Sequence, residues 1–295
     1  MLTMLTWSYV NDVNIYGRVI MSKKKEVGAG WAVVTGASSG LGAIFVEKLA
    51  QRGLPVVLAG RHEARLTEVR QRVQRVAPGI EVELVVGDLG ARGGVEALVA
   101  ALDGRVINVL VNNAGFGTYG RLQEVDPDRD RDLIAVNVDA LVRLTHAVLP
   151  AMLARGRGRI LNVASTIAFQ PAPYQATYGA SKAFVLSFSQ ALWAETRSTG
   201  VTVTALAPGP TRTGFVDALD ADVSQTAIYE RLSSPESVVA AGLRALDRGR
   251  PVVVPGLRNW LMANGARLSP GWVGALISGR MLRPAGAPRA HAASQ

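Results

Sequence analysis

The chain has 295 residues, of which 48% are hydrophobic and 19% are charged, and its formal net charge is +9. This length accommodates one large α/β domain or two small ones. There is no cysteine, which excludes disulfide bonds and thiolate metal sites and fits a reducing cytoplasm. Three histidines lie far apart in the sequence, and we expect no catalytic metal. No uninterrupted apolar tract reaches the ~18 residues that a membrane-spanning helix needs.

Residues 1–28 precede the first predicted strand. Asn11, Asp12 and Asn14 interrupt this segment, and no cationic residue stands ahead of its apolar part, so it does not fit a secretory signal. Met21, followed by Ser-Lys-Lys-Lys, offers an alternative start, which would make the first twenty residues an extension. We expect residues 1–28 to be poorly ordered.

Short apolar runs alternate with helical patterns through the rest of the chain. Strands are predicted at residues 31–34, 55–59, 81–86, 106–111, 159–163, 201–207 and 251–254. Helices are predicted at residues 44–50, 63–76, 94–102, 128–155, 176–198 and 235–247. This alternation predicts one α/β domain over residues 29–256, a doubly wound parallel sheet of about seven strands with helices on both faces.

A glycine-rich sequence lies between the first predicted strand and its helix, with the spacing Gly-x-x-x-Gly-x-Gly. Glycines allow the backbone to turn tightly and to approach a pyrophosphate, and the helix N-terminus offers unpaired N–H groups and a positive dipole end. The turn therefore predicts a dinucleotide site. Its contacting residues would be Gly36, Ser38, Ser39, Gly40, Leu41 and Gly42.

Ser165, Tyr178 and Lys182 form the second candidate site. A spacing of four residues places Tyr178 and Lys182 on one face of a helix, one turn apart. A neighbouring ammonium stabilises the phenolate and lowers the pKa of the tyrosine, which makes proton exchange with an alcohol or carbonyl feasible. Ser165 can hydrogen-bond the same substrate oxygen.

In these motifs the chain resembles the short-chain dehydrogenase/reductase family over roughly residues 30–255. The family pattern is matched at the glycine turn, at Asn112-Asn113-Ala114-Gly115, at Asn137, at Ser165 with Tyr178 and Lys182, and at residues 208–213. The resemblance implies a Rossmann-type fold and a catalytic set of Asn137, Ser165, Tyr178 and Lys182. Asn137 would kink its helix and hold a water that links Lys182 to solvent, and Asn112 would tie neighbouring strands together.

The same resemblance assigns further cofactor contacts. Lys182 would hold the nicotinamide ribose, with Tyr178 beside it, and Thr211 and Thr213 would bind the nicotinamide carboxamide. The remaining contacts would come from Asp88, Leu89, Asn113, Ala114, Gly115, Pro208 and Gly209.

The end of the second predicted strand bears on cofactor choice. Gly60 stands where an acidic residue would select NAD, and Arg61 follows with a guanidinium that can hold a phosphate in a bidentate way. Loss of the acid and gain of the cation both favour NADP(H).

The substrate is less well defined. A lid is expected at residues 214–234, and its Phe215, Val216, Leu219, Ile228 and Tyr229 could form a mostly apolar pocket with Ile167, Phe169 and Tyr174. Alternatively, several of these residues belong to the core. For an apolar pocket we favour a lipophilic carbonyl compound or secondary alcohol. A 3-oxoacyl thioester or a sterol or sphingoid-type ketone stays open. A non-catalytic, dinucleotide-binding regulatory module is the alternative of another class.

Residues 257–295 form a basic extension with apolar residues near helical spacing. From Gly249 to the C-terminus there are six arginines and no acidic residue. Such a segment could lie in a membrane interface, or it could pack on the domain or on a second subunit. We favour packing, with peripheral membrane contact as a secondary role. We expect a cytoplasmic homodimer or homotetramer and no nucleic-acid partner, because no reader motif accompanies the basic residues.

Overall fold

The computed structural model describes residues 30–214, 232–268 and 270–283. The N-terminal extension and most of the predicted lid, with all five of its named apolar residues, lie outside this part of the chain. All seven strands of the described sheet are parallel, in the order β3-β2-β1-β4-β5-β6-β7. They are β1 (Trp31–Thr35), β2 (Val56–Gly60), β3 (Val82–Val86), β4 (Ile107–Asn112), β5 (Gly158–Val163), β6 (Val201–Leu206) and β7 (Val252–Val253).

At least one helix lies between each pair of successive strands. The helices are α1 (Gly40–Ala50), α2 (Glu63–Val76), α3 (Gly94–Ala101), α4 (Pro127–Ile134), α5 (Leu141–Ala154), α6 (Ala176–Thr196), α7 (Pro235–Asp247), α8 (Leu257–Leu268) and α9 (Gly271–Met281). Two short 3-10 helices lie at Leu122–Glu124 and Thr166–Phe169. The predicted doubly wound sheet is confirmed.

The sheet is buried on both faces, which explains why its strands read as continuous apolar runs. Successive side chains of a strand point to opposite faces. Ala32 and Val34 of β1 therefore pack in the core formed with α1, α2 and α7. Val33, between them, packs in the opposite core, where Leu144 and Met152 of α5 are buried.

The predicted single helix over residues 128–155 is interrupted. Asp126 accepts a hydrogen bond from the N–H of Asp128 at 3.0 Å and Pro127 occupies the first turn, as the sequence predicts for a helix start. A π-helical segment, Ala135–Ala140, then separates α4 from α5. Among the described residues, the run Pro127–Ala154 alone is long and apolar enough to cross a membrane. Leu144, Val148 and Met152 of α5, within this run, are buried against the sheet.

The C-terminal helices contact the domain. The hydroxyl of Ser278 in α9 donates to the carbonyl of Pro171 at 2.7 Å, and the hydroxyl of Tyr119 donates to that of Leu282 at 2.6 Å. Leu282 is 1% exposed and packs in a cluster with Ile167 and Tyr178. The inner face of α9 is thus joined to the side of the domain that carries Tyr178.

Candidate active site

A cavity of about 420 Å³ opens at the carboxyl edge of the sheet. The strand order reverses between β1 and β4, and open parallel sheets bind ligands at such a switch point. All predicted site residues line this cavity except Gly42 and Asn137, which lie directly behind its wall.

The glycine turn is shaped by close backbone approaches. Gly36 and Gly40 have φ of +63° and +53°, the left-handed region that favours glycine. A Cβ on Gly42 would lie 2.1 Å from the carbonyl oxygen of Gly36, so this position accepts no side chain without a backbone shift. The turn leads into α1 at Gly40, where helix N–H groups point toward the cavity edge. This cradle fits a dinucleotide pyrophosphate.

Hydrogen bonds fix the turn to β4. The side-chain amide of Asn113 donates to the carbonyls of Thr35 at 2.9 Å and Gly36 at 3.2 Å. The Thr35 hydroxyl oxygen accepts from the backbone N–H groups of Asn113 and Ala114, both at 3.0 Å. Asn113 therefore positions the turn as well as lining the cavity.

Asn112 points instead into the protein. Its side-chain amide donates to Asn162 Oδ1 at 2.9 Å and to Thr145 Oγ1 at 3.3 Å, and it is 4% exposed. It joins β4 to β5, as its predicted structural role requires.

A cationic group lies at the end of β2. The guanidinium of Arg61 forms an ion pair with Asp88 at 3.4 Å, although both were expected to contact a cofactor. Asp88 Oδ1 also accepts the N–H of Gly90 at 2.9 Å. His62 and Arg65 line the same end of the cavity and were not predicted. Arg65 lies in the first turn of α2, and its position four residues after Arg61 was the available signal.

Ser165, Tyr178 and Lys182 come together at the other end. Ser165 begins the 3-10 helix Thr166–Phe169, and its hydroxyl oxygen accepts the N–H of Ile167 at 3.3 Å. The ammonium of Lys182 donates to the carbonyl of Val163 at 3.0 Å and lies 5.8 Å from the centroid of the Tyr178 ring. Burial lowers the pKa of Lys182 from 10.5 to about 8, because desolvation disfavours the charged form.

Asn137 lies in the π-helical segment and is 1% exposed. Its side chain accepts the N–H of Phe116 at 3.1 Å, and it donates to the Phe116 carbonyl at 2.9 Å and to Ser181 Oγ at 3.1 Å. A Cβ on Gly115 would lie 2.7 Å from Asn137 Oδ1 and 3.3 Å from Lys182 Nζ. Because position 115 has no side chain, the backbone that follows β4 can lie close to both Asn137 and Lys182.

The turn after β6 reaches both ends of the cavity. A Cβ on Gly40 would lie 3.3 Å from Cβ of Thr213, so this turn meets the glycine turn. Thr211 Oγ1 donates to the Gly209 carbonyl at 2.8 Å, and residue 211 pairs with Ser233 as an isolated bridge. Residues 214 and 232, the described flanks of the predicted lid, are therefore held near the cavity.

Three of the residues expected in the apolar pocket lie in the described part of the chain, and one of them lines the cavity. Ile167 lines the cavity, whereas Phe169 packs in a core cluster with Leu141 and Val185. Tyr174, at a φ of +65°, packs beside Leu282 and is also not a lining residue. Both residues pack in hydrophobic clusters, which is the alternative that the sequence left open for them. Phe116 and Gln175 line the cavity and were not predicted.

A family profile described as short chain dehydrogenase matches residues 30–224. The chain therefore belongs to the short chain dehydrogenase family of oxidoreductases. It is 38% identical over 183 residues to a very-long-chain 3-oxoacyl-CoA reductase of Anas platyrhynchos, a match that covers 60% of this chain and only 58% of that protein. It is also 38% identical over 218 residues to an oxidoreductase of Staphylococcus saprophyticus, covering 70% of this chain and 92% of that one.

Solved structures of dehydrogenases are also similar to this chain. A short-chain dehydrogenase from Sphingobium yanoikuyae in complex with NADPH is 32% identical, with a TM-score of 0.73 over 89% of this chain and 99% of that chain. A 7beta-hydroxysteroid dehydrogenase is 26% identical, with a TM-score of 0.78 over 87% of this chain and 98% of the other.

Proposed function

We propose that the protein is a cytoplasmic, NADP(H)-dependent oxidoreductase that interconverts a lipophilic carbonyl compound and its secondary alcohol. The observation that carries this proposal is the meeting of Ser165, Tyr178 and buried Lys182 in the cavity that begins at the glycine turn. One end of this cavity fits a pyrophosphate and the other offers an acid–base group beside a hydroxyl donor. These are the two requirements of hydride transfer coupled to proton transfer.

The roles of the side chains follow from their surroundings. NADPH, when bound, supplies the hydride. Ser165 and Tyr178 donate hydrogen bonds to the carbonyl oxygen, and Tyr178 gives its proton to that oxygen as negative charge develops there. The ammonium of Lys182 stabilises the phenolate that Tyr178 becomes and would hold the nicotinamide ribose hydroxyls. Asn137 orients the loop around Phe116 and the start of α6 through Ser181.

The pKa of Lys182 suits this task. A group with a pKa of about 8 is mostly charged at neutral pH and still loses its proton readily. It can therefore both stabilise a phenolate and return a proton to Tyr178 after each turnover.

Preference for NADP(H) rests on the end of β2. Gly60 carries no acid that would repel a 2′-phosphate, and Arg61 and Arg65 place positive charge there. Since Arg61 is paired with Asp88, a 2′-phosphate would compete with that carboxylate for the guanidinium. The structural relative from Sphingobium was solved with NADPH, which supports the same cofactor here. Asp88 and Leu89 would border the adenine, and Thr211 and Thr213 the carboxamide.

Two substrate classes accord with the cavity. Phe116 and Ile167 give the end near Tyr178 an apolar wall, which suits a lipophilic ketone or alcohol. The relative from Anas platyrhynchos supports a 3-oxoacyl thioester as the alternative. A non-catalytic regulatory module is less well supported, because Ser165, Tyr178 and Lys182 are all present and share one cavity.

The test is the variant Tyr178→Phe, assayed by NADPH oxidation against a panel of lipophilic ketones and 3-oxoacyl thioesters. We expect unchanged thermal unfolding and NADPH binding, with turnover lowered at least ~100-fold because the proton donor is lost. Substantial residual turnover would contradict the role of Tyr178. A wild-type protein that binds NADPH yet turns over nothing in the panel would favour the regulatory module.

We also propose a homodimer or homotetramer with peripheral membrane contact. Phe184 of α6 is 42% exposed and stacks on Phe188, which supports a subunit contact on that helix. On α8 and α9 the large apolar side chains point outward: Leu257, Leu261, Trp272, Leu276 and Ile277 are each more than half exposed. Exposed Arg258 and Arg280 lie among them, which supports contact with anionic lipid headgroups.

A further inference from the structure

Gln175 is a buried polar residue that the proposed reaction does not use. It precedes α6, is 2% exposed, and lines the cavity. Its backbone N–H donates to the carbonyl of Ala172 at 3.1 Å, and its own carbonyl accepts the N–H of Gly179 at 2.7 Å. The backbone is thus anchored on both sides, and the side chain enters the cavity from a fixed position.

The side-chain amide nitrogen of Gln175 is buried and has no hydrogen-bond partner among the described residues. A buried amide donor without a partner costs free energy, so native proteins nearly always pair such groups. A ligand that supplies the acceptor would remove this cost. The same cavity holds Ser165 and Tyr178, so a substrate bound at these two residues would lie in the cavity that Gln175 lines.

Gln175 stands directly before the first residue of α6 and three residues before Tyr178, and both residues line the cavity. We propose that Gln175 Nε2 donates a hydrogen bond to a second oxygen of the substrate, a few bonds from the carbonyl held by Ser165 and Tyr178. This inference rests on the proposed function and selects between its two substrate classes. A 3-oxoacyl thioester carries such a second carbonyl, whereas a simple ketone does not.

The charges of the residues around Gln175 bear on whether the second substrate oxygen is charged or neutral. The primary amide is an uncharged donor, and Phe116 and Ile167 beside it are apolar. The arginines that line the cavity, Arg61 and Arg65, lie at its opposite end. The remaining lysine or arginine among the described lining residues, Lys182, donates to the carbonyl of Val163 and lies beside Tyr178, so an uncharged thioester or ester carbonyl fits better near Gln175 than a free carboxylate.

The experiment compares two substrates in three variants. The probes are a 3-oxoacyl N-acetylcysteamine thioester and the methyl ketone of equal chain length, each assayed with NADPH. In Gln175→Leu we expect kcat/KM for the thioester to fall about tenfold, as for one uncharged hydrogen bond, with the ketone unchanged. Gln175→Glu should lose the same activity because its carboxylate cannot donate. Gln190→Leu, on the same helix outside the cavity lining, is the matched control.

Two further measurements separate the inference from a structural role. Thermal unfolding of ligand-free Gln175→Leu should not fall below the wild type, because the substitution removes an unpaired donor. In the Tyr178→Phe background, the same change should weaken thioester binding measured by calorimetry.

Several results would overturn the inference. For Gln175→Leu, they are an equal loss of kcat/KM on both probes, no loss on either probe, or a lowered unfolding temperature of the ligand-free protein. For Gln175→Glu, the contradicting result is full activity on the thioester. A wild-type enzyme that reduces the ketone but not the thioester would overturn it too, while leaving the proposed function intact. Failure of the wild type to oxidise NADPH with any carbonyl compound would instead refute the proposed function.

Discussion

The buried ammonium of Lys182 should make the stability of the protein depend on alkaline pH. Lys182 is 5% exposed, and its pKa is about 8 in the folded protein against 10.5 for an ordinary lysine. As the pH rises above about 8, the folded state releases this proton first, so the unfolded state binds more protons until about 10.5. Stability therefore rises with pH across this window. Below about pH 8 the lysine is charged in both the folded and the unfolded state, so the desolvation of the ammonium lowers the stability of the fold by its full amount.

The magnitude follows from the difference between the two pKa values. It corresponds to about 3 kcal/mol over the whole window, and to about 2.5 kcal/mol between pH 7 and pH 10. Lys182→Met removes the charge while keeping an unbranched side chain of similar length. We expect this variant to be at least as stable as the wild type at pH 7. Its advantage should then shrink by about 2.5 kcal/mol at pH 10.

Urea unfolding of both proteins at pH 7 and pH 10 measures this difference, since other groups that titrate there are common to the two. Repeating the pair in the Tyr178→Phe background removes the contribution of the neighbouring phenol. Lys48→Met, at an exposed lysine of α1, controls for the loss of one lysine. A stability difference between wild type and Lys182→Met that stays constant with pH would refute the inference of a desolvated ammonium.

The cofactor and membrane proposals have their own tests. Arg61→Ala and Arg65→Ala should each weaken NADPH binding about tenfold with little effect on NADH binding, while the control Arg75→Ala, at the far end of α2, should change neither affinity. Titration of tryptophan fluorescence with each cofactor measures these affinities. Equal affinities of the wild type for NADPH and NADH would contradict the proposed preference. Trp272→Asp combined with Leu276→Asp should abolish flotation with vesicles of phosphatidylcholine and phosphatidylglycerol, and wild-type binding should weaken at high salt. If this double variant instead lowers the molecular mass in solution, the surface is a subunit contact.

Local sequence patterns were sufficient for most of the fold. The apolar runs of the strands are long enough to identify because both faces of a parallel sheet are buried, and the observed ends differ by only a few residues. Asp126-Pro127-Asp128 marked the start of α4 because capping depends only on neighbouring residues. The π-helical segment around Asn137 was not predicted as such. It is stabilised by contacts of Asn137 with Phe116 and Ser181, which are distant in sequence.

The candidate site likewise contains residues that local sequence patterns predicted and residues that they did not. The glycine turn and the pair Tyr178 and Lys182 could be predicted because their function depends on spacing within one turn or one helix. Arg65 and Gln175 were missed because only the packing of the chain brings them to the cavity, and single polar residues carry no pattern. For Phe169 and Tyr174 the sequence left open whether they line the pocket or belong to the core, and tertiary packing places both in hydrophobic clusters.

The sequence by itself determined the order of strands and helices, the turn that fits a pyrophosphate, and the residue types available for proton transfer, because these depend on short-range spacing and side-chain chemistry. Only the tertiary structure decided which side chains meet. Strand β4 lies beside β1, and this brings Asn113 to the glycine turn. The packing of α9 through Ser278 places its large apolar side chains outward and Leu282 beside Tyr178. Periodicity identifies that a helix has two faces, but only packing against a partner determines which face is buried.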